Sequence, residues 1–136
     1  MLSMLKLAAK VASPSGDQDH RNFLLGCVGI RNDGALILAK NGNIKNMFSK
    51  NLVNIESDKS CEYHAEGRAL RKMDKGGTLY VARISRKDGS FVMARPCSRC
   101  QAKIKIQKIE KVYYSINNFQ YGIWNPQKDY DKVYNY

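Results

Sequence analysis

Apolar residues recur at three- and four-residue intervals at the start of the chain, at Leu2, Leu5, Ala9 and Ala12. That is the spacing of one helix face and predicts a packed amphipathic helix. Ser13-Pro14-Ser15-Gly16-Asp17 then joins a helix-stopping proline to turn formers, so the chain leaves the helix and runs as a loop to about residue 21. Two short apolar runs, residues 23–31 and 35–40, flank Asn32-Asp33-Gly34, a composition suited to the positive backbone angles of a hairpin turn. Residues 41–60 are polar and rich in asparagine. A loop of that length in a compact domain is usually functional, and this one is expected to shape a pocket rim.

A second helix is predicted over residues 61–75, capped by Ser60 or a neighbour, with Ala65, Ala69, Leu70 and Met73 as its apolar stripe and Gly76-Gly77 ending it. Residues 78–84 alternate as a strand, and residues 85–95 are a charged loop with a Lys87-Asp88-Gly89 turn. Pro96 opens a segment to about Lys108, and proline is tolerated at the first helical position because its missing N–H needs no partner there. Ile104 and Ile106 alternate with Lys103 and Lys105 as in a strand, whereas Ala102, Ile106 and Ile109 fit a helix. The helix is favoured, because a connection of this size before the strand at residues 111–116 is what a crossover between parallel strands requires. Residues 117–136 are an aromatic, asparagine-rich tail with no clear period, and no firm structure is assigned to them. The expected architecture is one α/β domain over residues 1–136, a central mixed sheet of at least four strands with helices on both faces.

Composition narrows the class. With 136 residues, 43% hydrophobic and 26% charged, the chain matches a globular domain rather than a disordered or fibrous one. Its longest apolar stretch, residues 23–30, falls short of the roughly 20 residues that span a bilayer, so no membrane partner is expected. Lys6 and Lys10 interrupt the apolar start, which argues against a secretion signal. Lysine and arginine total 23 against 12 acids, a net charge of +11, which puts nucleotides or nucleic acid first among partners. Four cysteines, two of them close together, do not make a disulfide framework, so a reducing compartment, the cytoplasm, is expected.

Two segments stand apart from ordinary packing. Cys61-Glu62-Tyr63-His64-Ala65-Glu66 and Pro96-Cys97-Ser98-Arg99-Cys100 both fall at predicted helix starts, where exposed N–H groups and the helix dipole favour thiolates. Cys97 and Cys100 share a helix face, and with His64 they give three sulfur and nitrogen ligands. That set suits one zinc ion and leaves a tetrahedral position for water. Glu66 supplies the carboxylate that a metal-activated water needs to take its proton and return one to a leaving group. The competing reading is a closed Cys3His zinc module with Cys61 as fourth ligand, binding nucleic acid without chemistry. Against it, 32 residues separate His64 from Cys97, longer than common zinc ribbons, and such a module gives Glu66 and Pro96 no role. A redox Cys-x-x-Cys lacks the expected position soon after a first strand.

His64-Ala65-Glu66 with Pro96-Cys97-x-x-Cys100 resembles the zinc-dependent cytidine/deoxycytidylate deaminase superfamily. The similarity runs from the first helix through Ile116 and implies that family's three-layer fold and hydrolytic deamination. It implies His64, Cys97 and Cys100 as ligands of one catalytic zinc, Glu66 as proton shuttle, and the Ala65 backbone against the base. Asn41 is implied as the sugar binder, with Asn43 its neighbouring rival, and a homo-oligomer is implied whose neighbours complete the pocket. Arg95 stands where deoxycytidylate deaminases commonly have serine, and Ala39-Lys40 where a glycine-tyrosine pair is usual.

The metal ligands do not distinguish cytosine from adenine. A free (deoxy)nucleotide such as dCMP fits a short chain, and Arg95 or Arg99 could pair with its phosphate. The rival substrate is cytosine or adenine in single-stranded DNA, RNA or tRNA. It is favoured by Lys103, Lys105, Lys108 and Lys111 along one segment and by Tyr121, Trp124 and Tyr130 in the tail. Arg68, Arg71, Lys72 and Lys75 need no partner, since cations near a helix C-terminus offset its dipole.

Overall fold

The computed structural model describes residues 2–14, 24–42 and 64–136. Residues 15–21 and 43–60 of the loops expected at 13–21 and 41–60, with Ser60, Cys61 and Asn43, lie outside the described residues. Helix α1 is Leu2–Ala12, and it buries Leu5, Ala8 and Ala12. Strands β1 (Leu24–Ile30) and β2 (Leu36–Lys40) form the expected antiparallel hairpin. Its turn puts Gly34 at φ 88°, and the Asp33 carboxylate accepts the Ala35 N–H at 3.0 Å. Helix α2 is Ala65–Lys72. It ends before Gly76 and Gly77, both at positive φ.

Strand β3 (Thr78–Ile84) is followed by a two-residue strand β4 (Phe91–Val92) within the charged segment, then by helix α3 (Ser98–Ile106) and strand β5 (Lys111–Ser115). The tail forms β6 (Gln120–Asn125) and β7 (Tyr130–Asn135). The sheet of seven strands runs β2-β1-β3-β5-β6-β7, with β4 paired to β3. The β3–β5 pair is parallel and the other pairings are antiparallel, so α3 is the crossover that the spacing predicts.

Strand alternation makes the sheet two-sided. Val28, Ala82 and Tyr113 pack under α1 with Leu5 and Ala8, while Cys27, Leu79, Val81, Val112, Tyr114 and Trp124 pack with α2 and α3 residues such as Ala69 and Ile104. The result is three layers, with α1 on one face and α2 and α3 on the other. Glycine permits the close seating of α1: a Cβ on Gly26 would overlap the Ala8 carbonyl oxygen. Because backbone rather than a flexible side chain would have to move, Gly26→Ala should lower stability by about 2–3 kcal/mol. Urea unfolding followed by far-UV circular dichroism reads this as a lower midpoint with an unchanged slope.

Helix α3 forms where expected, with a different inward stripe. Cys100 and Ile104, four apart, are fully buried, whereas Ile106 is 77% exposed and Ala102 is exposed. Pro96 precedes the helix and Cys97 is its N-cap. Burial of the Cys100 thiol beside His64 fixes the helix phase and turns Ile106 outward. At the far end, the Gln107 amide donates to the Leu70 and Met73 carbonyls at 2.7 and 2.8 Å, satisfying acceptors that the end of α2 leaves without helical partners.

The β6–β7 hairpin is the main addition to the expected fold. Asn125 Oδ1 accepts the N–H groups of Gln127 and Lys128, and Asp129 turns the chain at φ 52°. Trp124, fully buried, donates its indole N–H to Asp129 at 3.0 Å.

Candidate metal centre

Two helix starts converge at one end of the sheet. His64 is the N-cap of α2 and Cys97 the N-cap of α3, both extended in backbone, and Cys100 lies on the first turn of α3. The His64 Nδ1 is 3.4 Å from Cys100 Sγ and 3.7 Å from Cys97 Sγ. Among the described residues these three bring one ligand atom each within 4.8 Å of one another. A tetrahedral zinc with ordinary Zn–N and Zn–S bonds needs N···S separations of about 3.6 Å, and the observed values straddle it. Cys100 is buried and Cys97 exposed, so the cluster is closed on one side and open on the other. Burial first, and the Arg99 charge second, lower the His64 pKa, which favours the neutral imidazole that a metal binds.

Glu66 lies two residues beyond His64 and is 3% exposed. Its Oε1 is buried without a hydrogen-bond partner among the described residues. Burial pushes its carboxyl up to about 7, against a smaller downward pull from a backbone hydrogen bond. The Cys27 thiol is in turn pushed up, by its own burial and then by the Glu66 charge. An orphaned carboxyl oxygen is costly in a folded core and marks a group kept for chemistry. Ala65, fully buried, begins α2 between the ligand and this acid, so it can offer only backbone.

Asn41 closes the end of the β1–β2 hairpin. Its Oδ1 accepts the Leu25 N–H at 3.0 Å and its own N–H donates to the Leu25 carbonyl at 3.1 Å. Arg68 of α2 donates to the Lys40 carbonyl at 3.3 Å, which ties Asn41's neighbour to the helix that carries His64.

Arg95 immediately precedes the Pro96-Cys97 turn, and its guanidinium grips Asp131 of β7. Nε to Oδ1 is 3.3 Å and Nη2 to Oδ2 is 2.5 Å. The Tyr114 hydroxyl donates to the same carboxylate at 2.7 Å, and the guanidinium lies 5.7 Å from the centre of the Trp124 ring. The sequence reading missed Asp131 because it sits 36 residues beyond Arg95 in a tail without assigned structure. Its signal was the polar turn at 125–129 between two stretches of alternating aromatics. Burial raises the Asp131 pKa, but hydrogen bonds from Arg95 and Tyr114 outweigh it and leave the carboxyl below its ordinary value. A lowered folded-state pKa means stability present above about pH 4 that is lost as the pH falls through the folded value. Asp131→Asn should therefore cost about 1 kcal/mol at pH 7, after allowance for solvent screening. It should also unfold with less acid sensitivity than the parent, as urea midpoints at pH 7, 5 and 3 would read.

The proposed nucleic-acid track is divided by the fold. Trp124 is core and cannot stack on a base. Tyr121 stacks against Tyr113, Tyr134 and Tyr136 on the α1 face, away from the metal ligands, and Tyr130 is 61% exposed. Lys105 pairs with Asp129 at 3.3 Å.

A family model described as the cytidine and deoxycytidylate deaminase zinc-binding region matches residues 2–116. Among solved structures, a 1.6 Å crystal structure of cytidine deaminase from Burkholderia pseudomallei matches at 18% identity, covering 98% of this chain and 91% of that one, with a TM-score of 0.48. None of the curated proteins matches the sequence.

Proposed function

Since the chain belongs to the cytidine and deoxycytidylate deaminase zinc-binding family, and so is a zinc-dependent deaminase, we propose that it hydrolyses the cytosine of a (deoxy)nucleotide such as dCMP to uracil. The observation that carries this reading is the buried Glu66 oxygen, without a hydrogen-bond partner among the described residues, two residues beyond His64 of the His64, Cys97 and Cys100 cluster. Zinc, when bound there, supplies Lewis acidity and an activated water.

In the overall reaction water oxygen forms a bond to C4 of cytosine, the bond from C4 to the exocyclic nitrogen breaks, and ammonia leaves. The water gives up both of its protons in the course of the reaction, and Glu66 carries one to ring N3 as the oxygen adds and the other to the departing amine, which leaves as ammonia. A carboxyl poised near 7 suits both transfers at neutral pH. The Ala65 backbone holds the base edge against this carboxyl, and Asn41, at the same end of the sheet, holds the sugar. Arg95 stands beside the site as a substrate contact, with Asp131 fixing its orientation. The same reading makes the protein a cytoplasmic homo-oligomer.

The deciding assay offers the zinc-loaded protein dCMP together with a cytosine-containing single-stranded oligonucleotide and follows both by mass spectrometry. Accumulating dUMP with an intact oligonucleotide supports the proposal. Uracil in the oligonucleotide alone overturns it in favour of a nucleic-acid deaminase, the reading that the +11 net charge favours. Cys61→Ser separates the enzyme from a closed four-ligand module: the enzyme keeps its zinc, the module releases it.

A further inference from the structure

On the side of the sheet that α1 covers only in part, tyrosines line up across four strands. Tyr80 of β3 stacks on Tyr113 of β5 at 4.7 Å between ring centroids, and Tyr113 lies 6.5 Å from Tyr121 of β6. Tyr121 in turn stacks on Tyr134 of β7 at 5.6 Å and on Tyr136 at 5.1 Å. Neighbouring rings tilt by no more than 30°. Strand register builds the row, since Tyr80 lies opposite Tyr113 and Tyr121 opposite Tyr134. Helix α1 packs on Val28, Ala82 and Tyr113, and beyond it β6 and β7 carry no helix on this face among the described residues. Exposure grows toward the sheet edge, from 9% at Tyr113 to 37% at Tyr136 and 61% at Tyr130.

Charge on this face has one sign. Alternation from Tyr113 puts Lys111 on it, and alternation from Tyr134 adds Lys132 and Tyr130. Both lysines are exposed, and the Lys132 ammonium lies 5.4 Å from the centre of the Tyr134 ring. The other positions of β5, β6 and β7 on this face are Ser115, Ile123 and Asn125, so these strands bring no carboxylate to it. The acids of the β6–β7 hairpin serve elsewhere: Asp131 holds Arg95 and Tyr114 on the opposite face, and Asp129 in the turn holds Lys105 and the Trp124 indole. An aliphatic partner finds only Ile123 on these three strands, and a second copy of the chain would set lysine against lysine. A polyanion that carries flat π-faces matches both parts of the surface.

We infer that this face is a docking platform for single-stranded nucleic acid, whose bases stack on the tyrosine row while its phosphates meet Lys111 and Lys132. Sheet faces bearing aromatics hold two or three unpaired bases in this way, and because every base has a π-face such stacking tolerates any sequence. The metal ligands lie with α2 and α3 on the other side of the sheet, so a strand docked here is held by the protein without being presented to His64, Cys97 and Cys100. The platform goes beyond the proposed deamination and does not depend on it.

The test uses the zinc-loaded full chain and fluorescently labelled oligothymidylate, oligouridylate and an abasic strand of equal length, with binding read by anisotropy. Neither thymine nor uracil has an exocyclic amine, so neither is a deamination substrate. The parent should bind the two base-bearing strands more tightly than the abasic one. Tyr134→Leu/Tyr136→Leu should bind them at least about tenfold more weakly and the abasic strand as the parent does. Lys132→Ala should weaken all three and lower the salt slope of binding by about 0.7, whereas Lys72→Ala, on the exposed end of α2, should match the parent. A preference for oligothymidylate identifies DNA as the source and one for oligouridylate RNA, and equal binding leaves the shared stacking chemistry as the determinant. Thermal melting checks folding, and where the tyrosine variant melts early the exposed Lys132→Ala carries the test through its salt slope. Equal affinity of parent and tyrosine variant for the base-bearing strands, equal salt slopes of parent and Lys132→Ala, or displacement of the strand by excess dCMP overturns the inference. Deamination of dCMP should be unchanged in both variants, and its absence in the parent would sink the proposed function while the anisotropy titration still reads the platform.

Discussion

Replacing Glu66 with alanine should leave one zinc per chain and slow ammonia release by about a thousandfold or more, since positioned proton transfer is worth roughly 10²–10⁴ and this one carboxyl serves both transfers. Glu66→Gln is the sharper variant. It keeps the shape of the side chain and can neither take nor give the proton, so its turnover should be equally low. Zinc content by elemental analysis alongside an ammonia assay separates a proton-transfer defect from metal loss, and turnover retained in either variant would remove Glu66 from the mechanism. The same variants carry a stability signature. A carboxyl whose folded value is raised from 4.5 to about 7 contributes stability that is fully present below the lower value and is lost as the pH rises through the upper one. The metal-free parent should therefore weaken between about pH 4.5 and 7 relative to Glu66→Gln, whose neutral amide does not titrate. Parallel unfolding curves across that interval would contradict the buried setting of the acid.

Cys100→Ser should have the second large effect. Cys100 is fully buried and packs at the joint between α2 and α3, so its loss removes a thiolate ligand and leaves a hydroxyl near the His64 ring. Zinc affinity should fall by at least about a hundredfold, because a hydroxyl is a poor substitute for thiolate at a zinc site. Stability should fall with it, since metal that binds only the folded chain stabilises by about 4 kcal/mol when free zinc is a thousand times its dissociation constant. The parent's melting temperature should rise with added zinc and drop on chelation, whereas Cys100→Ser should need at least about a hundredfold more zinc for the same rise. A variant that melts with the parent's zinc dependence would place the metal elsewhere.

Much of this architecture is written locally in the chain. The Asn32-Asp33-Gly34 turn, the alternation of residues 78–84 and the helix-length gap before residue 111 each carry their own geometry, so hairpin, strand and parallel crossover were all legible. The ligand cluster was legible because His64 and Cys97 sit at helix starts and Cys100 follows one turn later. Other features depend on partners distant in sequence. The phase of α3 could not be read from Ile104 and Ile106 alone, because it is fixed by where Cys100 must sit against His64. The β6–β7 hairpin was hidden because its strands mix asparagine, glycine and charge with aromatics, and the Arg95–Asp131–Tyr114 cluster went with it. Glu66 stood out by motif, but the burial of its Oε1 without a hydrogen-bond partner among the described residues is a property of the packed core.

The hairpins β1–β2, β3–β4, β5–β6 and β6–β7 close between neighbouring segments, whereas His64 meets Cys97 and Cys100 across separations of 33 and 36 positions. Contacts between distant segments bear the larger loop-closure entropy, so they tend to form on the native side of the folding barrier. Zinc should then act as a late fastener that lengthens the lifetime of the native protein far more than it hastens refolding, with the zinc dependence confined to the unfolding limb of the chevron.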